Sequence, residues 1–382
     1  MQTYLEINLG NLKANVRNLK KLIDDKKLLA VVKSNAYGHG LIECAKTAIE
    51  AGADWLGVIS LDEAKKLRQA GISKPILILA YVDPKDANEA AELNITIPII
   101  DQDYVREIAK IKFIKPLNVH LKIETGLNRL GLSPFKKDQL NIETILETAK
   151  FLSENDKIKI SGIYSHQAAV EEDPYNNFGQ AECLRDIVDV LKEAGINLPI
   201  VHLAASAGGL MQPEAHFDMV RFGIAIYGLW PSEEVKKSFA RFEKSFDLQP
   251  VLSYKTKIVH LNDVEKHASI GYGRTFRAKR PMTLVIIPIG YYEGLDRGLS
   301  NPGGRGEVLV GGKRCPIVGR ICMNMTIIDV TNVNAKVGDE VVIIGKQGSE
   351  EITVDEIAKK IGTINYEIAA RLPEHLERKY IS

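Results

Sequence analysis

Eight short apolar runs, rich in Val and Ile, punctuate the first 228 positions of the chain and leave few folds open to it. They read LLAVVK (28–33), WLGVIS (55–60), PILILA (75–80), ITIPII (95–100), LNVHLKI (117–123), IKISGIYS (158–165), LPIVHLA (198–204) and MVRFGIAIYG (219–228). Amphipathic stretches such as DEAKKLRQAG and NNFGQAECLRDIVDVLKEAG separate most of them. A strand that is apolar along its whole length has to be buried on both faces, as in parallel sheets covered by helices. Eight such units predict an α/β fold, a (β/α)8 TIM barrel. A doubly wound sheet competes, but no GxGxxG follows the first run. After about residue 244 the texture changes. VLSYKTKIVHL, MTLVIIPIGYY, GEVLVGG, RCPIVGRICMNMTIIDVTNV and DEVVIIG are strand-like with Gly-rich connections, and only TVDEIAKKIG looks helical. The expected organisation is a barrel over 1–244 and a mainly β domain over 245–382.

Charge narrows the partners. The chain carries 50 basic and 49 acidic residues, so no global field draws it to nucleic acid or to an anionic membrane. The start, MQTYLEINLGNLKANV, lacks the apolar core of a secretory signal. No run reaches the roughly 18 apolar residues of a membrane span. Cys44, Cys183, Cys315 and Cys322 form no CxxC pair and suggest neither a disulfide framework nor a metal site. A reducing cytoplasm is the expected setting.

Barrel active sites form at the C-terminal ends of the strands. There the chain places Lys33 at the end of the first run, Arg129 in LKIETGLNRLG after the fifth, His166 after the sixth, Ser206 after the seventh and Arg221 within the eighth. Singly these have ordinary explanations: a solvated lysine, a surface cation, a structural histidine, a helix cap. Arg221 resists, because a charge inside an apolar strand needs partners. Together they suggest pyridoxal 5′-phosphate. A lysine emerging from an apolar wall loses its proton readily and can condense with an aldehyde. The ring nitrogen takes an Asp or Arg partner. Ser206 and the Gly223–Ile224 step suit a phosphate.

VVKSNAYGHG (31–40) resembles the cofactor-lysine motif of the alanine racemases, barrel-type enzymes with a β second domain. The resemblance returns, in family order, in NRLG, HLAASAG, RFGIAIYG, IGYGRTF, IPIGYYEG, GRICMNM and TINYE. It implies that Lys33 carries the cofactor and is the base for one enantiomer, and that Tyr272 is the base for the other. By the same resemblance His166 hydrogen-bonds that tyrosine and Arg221 faces the ring nitrogen. Phosphate contacts fall to Tyr37, Ser206, Gly223, Ile224 and Tyr366. Arg129 and Met323 meet the substrate carboxylate, Tyr291 is a gate, and Lys122 stands where many members carry a carbamylated lysine. Tyr272 and Met323 match residues that other members supply from the second subunit, so a homodimer with shared sites is implied. The implied reaction interconverts L- and D-alanine, with D-alanine destined for peptidoglycan.

Three positions depart from the common pattern: Gln167 for an apolar residue, Ala205 for Asn, and Asn324 for Asp. The tail AARLPEHLERKY matches no usual pattern. These leave open a racemase of the same fold acting on another or broader range of amino acids, serine for example. A barrel-type amino-acid decarboxylase, a non-catalytic PLP-binding protein and a degenerate, regulatory racemase homologue are the further alternatives; Arg221, where the decarboxylases carry Glu, argues against the first, and IGYGRTF against the second.

Overall fold

Residues 3–136, 139–140, 142–175, 178–242, 246–301 and 306–382 are described by the computed structural model. The eight apolar runs all form strands, and every neighbouring pair among them is parallel. In chain order they are Lys27–Val31, Trp55–Val58, Ile76–Ile78, Ile95–Ile99, Leu117–Lys122, Ile158–Tyr164, Val201–His202 and Met219–Phe222. The last pairs with the first, in register from Met219 with Lys27 to Phe222 with Ala30. Between the seventh and eighth, Asp218 N donates to Val201 O at 3.0 Å and Arg221 N to Ala204 O at 3.1 Å, which completes the ring. The strand interiors are buried, as their two-sided apolar sequence requires. Helices return the chain between strands. Side chains cap several of their starts: Ser60 Oγ accepts from Glu63 N, Asp83 from Lys85 N, and Asp101 Oδ1 from Tyr104 N at 2.7 Å.

The eighth run ends as a strand earlier than its composition suggests. Gly223 breaks the extended backbone (φ −105°, ψ −98°), and Ile224–Tyr227 closes into a 3₁₀ turn capped by left-handed Gly228. A Cβ on Gly228 would lie 1.8 Å from Gln249 O, so only glycine fits there. This compact unit comprises Asn11–Ala36 and Leu41–Pro250.

A second unit comprises Met1–Gly10, Tyr37–Gly40 and Val251–Ser382. The boundary expected at 244/245 lies outside the described residues. Residues 1–10, expected with the barrel, belong here. The strand Tyr4–Asn8 pairs antiparallel with Leu252–Lys257 and parallel with Glu377–Ile381. Leu5 and Ile7 alternate inward and are fully buried. The sheet continues through Glu340–Gln347 and Glu307–Val310 to Lys313–Pro316. A smaller antiparallel sheet joins His260–Val264, Met282–Ile287 and Thr326–Asp329. TVDEIAKKIG is helical over Val354–Ile361, with Thr353 as N-cap and left-handed Gly362 at its end. It is not the only helix of this unit: Asn365–Ala370 is a second, too short to show a helical period in sequence. Among the described residues no helix is long and apolar enough to cross a membrane.

Because Tyr4–Asn8 sits between two sheet neighbours, Leu5→Ala should cost about 2–5 kcal/mol. Urea denaturation would check this; an unchanged midpoint would show that the strand is dispensable to the second unit.

Candidate active site

The first barrel strand ends under tight control. Val32 N donates to Gly57 O at 2.8 Å, and the buried Tyr227 hydroxyl donates to Val31 O at 3.0 Å. Lys33 follows directly. Then Ser34, Asn35, Ala36 and Tyr37 take left-handed backbone, with φ between 52° and 55°. Each such L-residue costs roughly 1–2 kcal/mol, so the surroundings must enforce the turn. Ala36 N donates to Val32 O at 2.9 Å across it. Lys33 itself is half-buried. Burial, and then the charge of Arg129, push its amine below the ordinary lysine range, while Glu63 opposes them.

Arg221 is buried among the ends of the sixth and seventh barrel strands. It donates to His202 Nδ1 at 2.7 Å, Leu203 O at 2.7 Å, Ser165 O at 2.8 Å and His166 Nδ1 at 3.1 Å. Its guanidinium also lies over the Tyr164 ring, which stacks on His202. A guanidinium only donates, so both imidazole Nδ1 atoms accept and their protons lie on Nε2. His202 Nε2 then donates to His120 Nδ1 at 3.0 Å. Burial, reinforced by Arg221, holds His166 and His202 well below the ordinary histidine range and His120 at about 3. All three are neutral at physiological pH.

Ser206 is buried, and its Oγ accepts from Gly223 N at 3.0 Å and Ala225 N at 3.4 Å. The structure thus brings together Ser206 and the Gly223–Ile224 step. Lys122 is buried, with Nζ 5.6 Å from the Tyr164 ring centre. Burial, Arg129 and Arg221 lower its amine to about 8. Arg129 is exposed on a loop organised by Glu124, whose Oε1 accepts from Gly126 N at 2.6 Å and Oε2 from Arg129 N at 3.0 Å. Burial would raise this carboxyl, but the backbone N–H groups of the loop prevail and hold it below the usual range.

The remaining candidates belong to the second unit. Tyr37 and Tyr366 stand with ring centres 6.3 Å apart. Arg378, in the tail that sequence reading left unmatched, fixes this pair's neighbourhood: it donates to Gly38 O at 3.0 Å and to Pro373, Glu374 and Leu376 carbonyls. One cation in the charged stretch Glu377–Arg378–Lys379 gave no sign of that clamp. Tyr272 lies in a 3₁₀ turn against Gly319–Arg320, the stretch leading to Met323. Met323 and Tyr291 sit on two loops joined by Tyr291 N to Cys322 O at 3.1 Å and Tyr292 N to Met323 O at 3.0 Å. Tyr272, Met323 and Tyr291 are 69%, 55% and 44% exposed, so none is spent on this unit's own core.

The departures have local explanations. Gln167 is buried and donates to Gln212 Oε1 at 2.5 Å, while Gln212 donates to Pro174 O. Asn324 donates to Glu293 Oε1 at 2.7 Å, a bond that a carboxylate in its place could not make while ionised. Ala205 leaves the helix Ser206–Met211 without a side-chain cap. Gln180, which sequence reading passed over, donates to Thr125 Oγ1 and His166 O and accepts from Ala168 N, holding two strand-end loops together.

This donor set fits a phosphorylated aldehyde cofactor: an amine of lowered basicity, a buried cation, and a hydroxyl with glycine N–H beside it. Lys33, Ser206, Gly223 and Arg221 would hold it.

The family model of the alanine racemase N-terminal domain matches residues 7–231, and that of the C-terminal domain matches 251–380. Alanine racemase 2 of Caldanaerobacter subterraneus subsp. tengcongensis is 41% identical, covering 99% of this chain and 95% of that protein. The alanine racemase of Methanococcus maripaludis is 39% identical over 99% of this chain and 98% of its own. The crystal structure of alanine racemase from Bacillus anthracis with bound L-Ala-P superposes with a TM-score of 0.92 at 36% identity, covering 100% of this chain and 95% of that one. A barrel with this set of strand-end residues, a β second unit and relatives of that likeness over its whole length place the chain in the alanine racemase family.

Proposed function

We propose that the chain is a pyridoxal 5′-phosphate-dependent isomerase that interconverts L- and D-alanine, and that in the cytoplasm it supplies D-alanine for peptidoglycan. The observation that carries this reading is Lys33, an amine of lowered basicity beside Arg129 at the end of a barrel strand. When bound, the cofactor supplies an electron-withdrawing ring that makes the Cα–H of an attached amino acid acidic.

Racemisation removes a proton from one face of Cα and returns one to the other. Two bases on opposite faces accomplish this without turning the substrate. Lys33 Nζ serves one face. Tyr272 Oη, from a second copy of the chain, serves the other. Its exposure on the second unit, with Met323 and Tyr291, is what a site shared between subunits requires. A phenol is a weak base at its ordinary value, so a neighbour must favour its phenolate. Neutral His166, which carries its proton on Nε2, is a donor suited to that task. When the cofactor is bound, Arg221 would be the partner of its ring nitrogen, a cation that does not readily give up a proton. Ser206, Gly223, Ile224, Tyr37 and Tyr366 would hold its phosphate, as the resemblance to the family implies. Arg129 and the Met323 N–H orient the substrate carboxylate.

Lys122 carries a carbamate in this reading. Its neutral amine attacks the carbon of CO2, loses a proton, and turns a cation that repels Arg129 into an anion that attracts it. At fixed dissolved 13CO2, label on Lys122 should rise as the pH passes through about 8, the value of its amine. Absence of label at any pH would remove the carbamate.

The test of the reaction is chiral chromatography after the PLP-loaded protein is incubated separately with L-Ala, L-Ser, L-Lys and L-Arg. Rapid approach to an equal mixture with alanine is the expected result. Faster conversion of another member keeps the mechanism and moves the substrate, with Asn324 and Ala205 the first positions to exchange. No conversion of any of them contradicts the reading.

A further inference from the structure

The left-handed turn after Lys33 is built from residues with side chains, and such backbone persists only where neighbours hold it. One holder comes from the next βα loop. Glu63 is the third residue of the helix Leu61–Gln69, whose N-cap is Ser60. Ser-x-x-Glu at a helix start is a capping box, in which the glutamate reaches back to the N–H of the capping serine. Here the serine half is made: Ser60 Oγ accepts from Glu63 N at 3.3 Å. The glutamate half is diverted. Glu63 Oε2 accepts from Ile59 N at 3.0 Å, one residue earlier, and Oε1 accepts from Asn35 N at 3.0 Å, in the turn itself. Asn35 in turn accepts from Leu41 N through its side-chain oxygen at 2.8 Å, fixing the far end.

We propose that Glu63 is a positioning residue for Lys33: its carboxylate ties the left-handed turn to the end of the second barrel strand and sets where the lysine amine stands. The proposal rests on the reading that Lys33 carries the cofactor and moves the Cα proton. Two consequences separate from ordinary capping. The Asn35 N–H donates to a charged acceptor, a stronger bond than one to a neutral group. The same charge lies near the Lys33 amine and offsets the effects of burial and Arg129. Ser60 shares the cap through Glu63 N and lacks the carboxylate charge, so Ser60→Ala provides a structural control.

The experiment uses the full chain, freed of cofactor, as the unsubstituted protein and as E63Q, E63D and S60A. Hydrogen exchange is read at the Asn35 amide. The titration of Lys33 is read by trace acetylation with acetic anhydride across pH, with mass spectrometry of the Lys33 peptide. In E63Q the Asn35 amide should exchange about tenfold faster or more, because a bond to a charged acceptor is lost. Lys33 should titrate at lower pH, because the charge is gone. E63D, which keeps the charge on a shorter arm, should speed exchange but hold the Lys33 titration nearer that of the unsubstituted protein. S60A should change neither. E63Q and S60A behaving alike, or both readouts unchanged in E63Q, would overturn the proposal; if E63Q does not fold, unchanged exchange in E63D does the same. A separate measurement isolates the reading beneath it. Borohydride trapping of added pyridoxal 5′-phosphate should label Lys33. Label elsewhere in K33A at the unsubstituted level would overturn the role of Lys33, leaving the Asn35 result to report on the turn alone.

Discussion

A guanidinium buried among barrel strand ends must have its donors satisfied, because an unpaired buried charge is prohibitively unfavourable. Arg221 meets that demand with two carbonyl oxygens and two imidazole nitrogens rather than with a carboxylate. Much of the site follows from this choice. Accepting nitrogens fix the tautomers of His166 and His202, and His202 passes the constraint on to His120. Burial, and after it the positive charge left uncompensated, holds those rings well below the ordinary histidine range, and burial, Arg129 and Arg221 together lower the Lys122 amine. With Arg129 and Lys33 close by, the strand ends present cations and N–H groups and so favour anionic ligands. A phosphate and a substrate carboxylate are the anions that the family's chemistry brings.

Around this centre the loops are held mainly by side-chain carboxylates and amides gripping backbone N–H groups. Glu63 holds the turn after Lys33, Glu124 the loop of Arg129, and Gln180 the stretch from His166 to Ala168. Backbone geometry at the strand ends is thereby specified by residues that never need to touch a substrate. The second unit adds a different kind of preparation. Its sheet buries the N-terminal strand between two others, and its loops hold out Tyr272, Tyr291 and Met323.

Much of this was legible in the sequence. Two-sided burial writes each barrel strand as a continuous apolar run, so all eight could be read. Strand-end position singled out Lys33, His166 and Ser206, and an arginine in an apolar strand singled out Arg221. The N-terminal strand was missed because YLEIN alternates like any short amphipathic segment and precedes a barrel in the chain while pairing with strands more than 240 residues away. The left-handed turn was invisible because Ser34, Asn35, Ala36 and Tyr37 include no glycine to announce positive φ. Ser60-x-x-Glu63 was a readable cap, but nothing local told where the carboxylate would go. The clamp by Arg378 on Gly38 joins positions 340 apart, and no pattern along the chain encodes it.

The account rests most heavily on a site made from two copies, with Lys33 from one and Tyr272 from the other. The direct measurement mixes K33A and Y272F chains, each nearly inactive alone, and follows alanine racemisation after subunit exchange. A random mixture makes half of its dimers hybrids, each with one intact site of two, so about a quarter of the unsubstituted activity should return. A mixture that remains as inactive as its components would contradict the shared site and place both bases within a single chain.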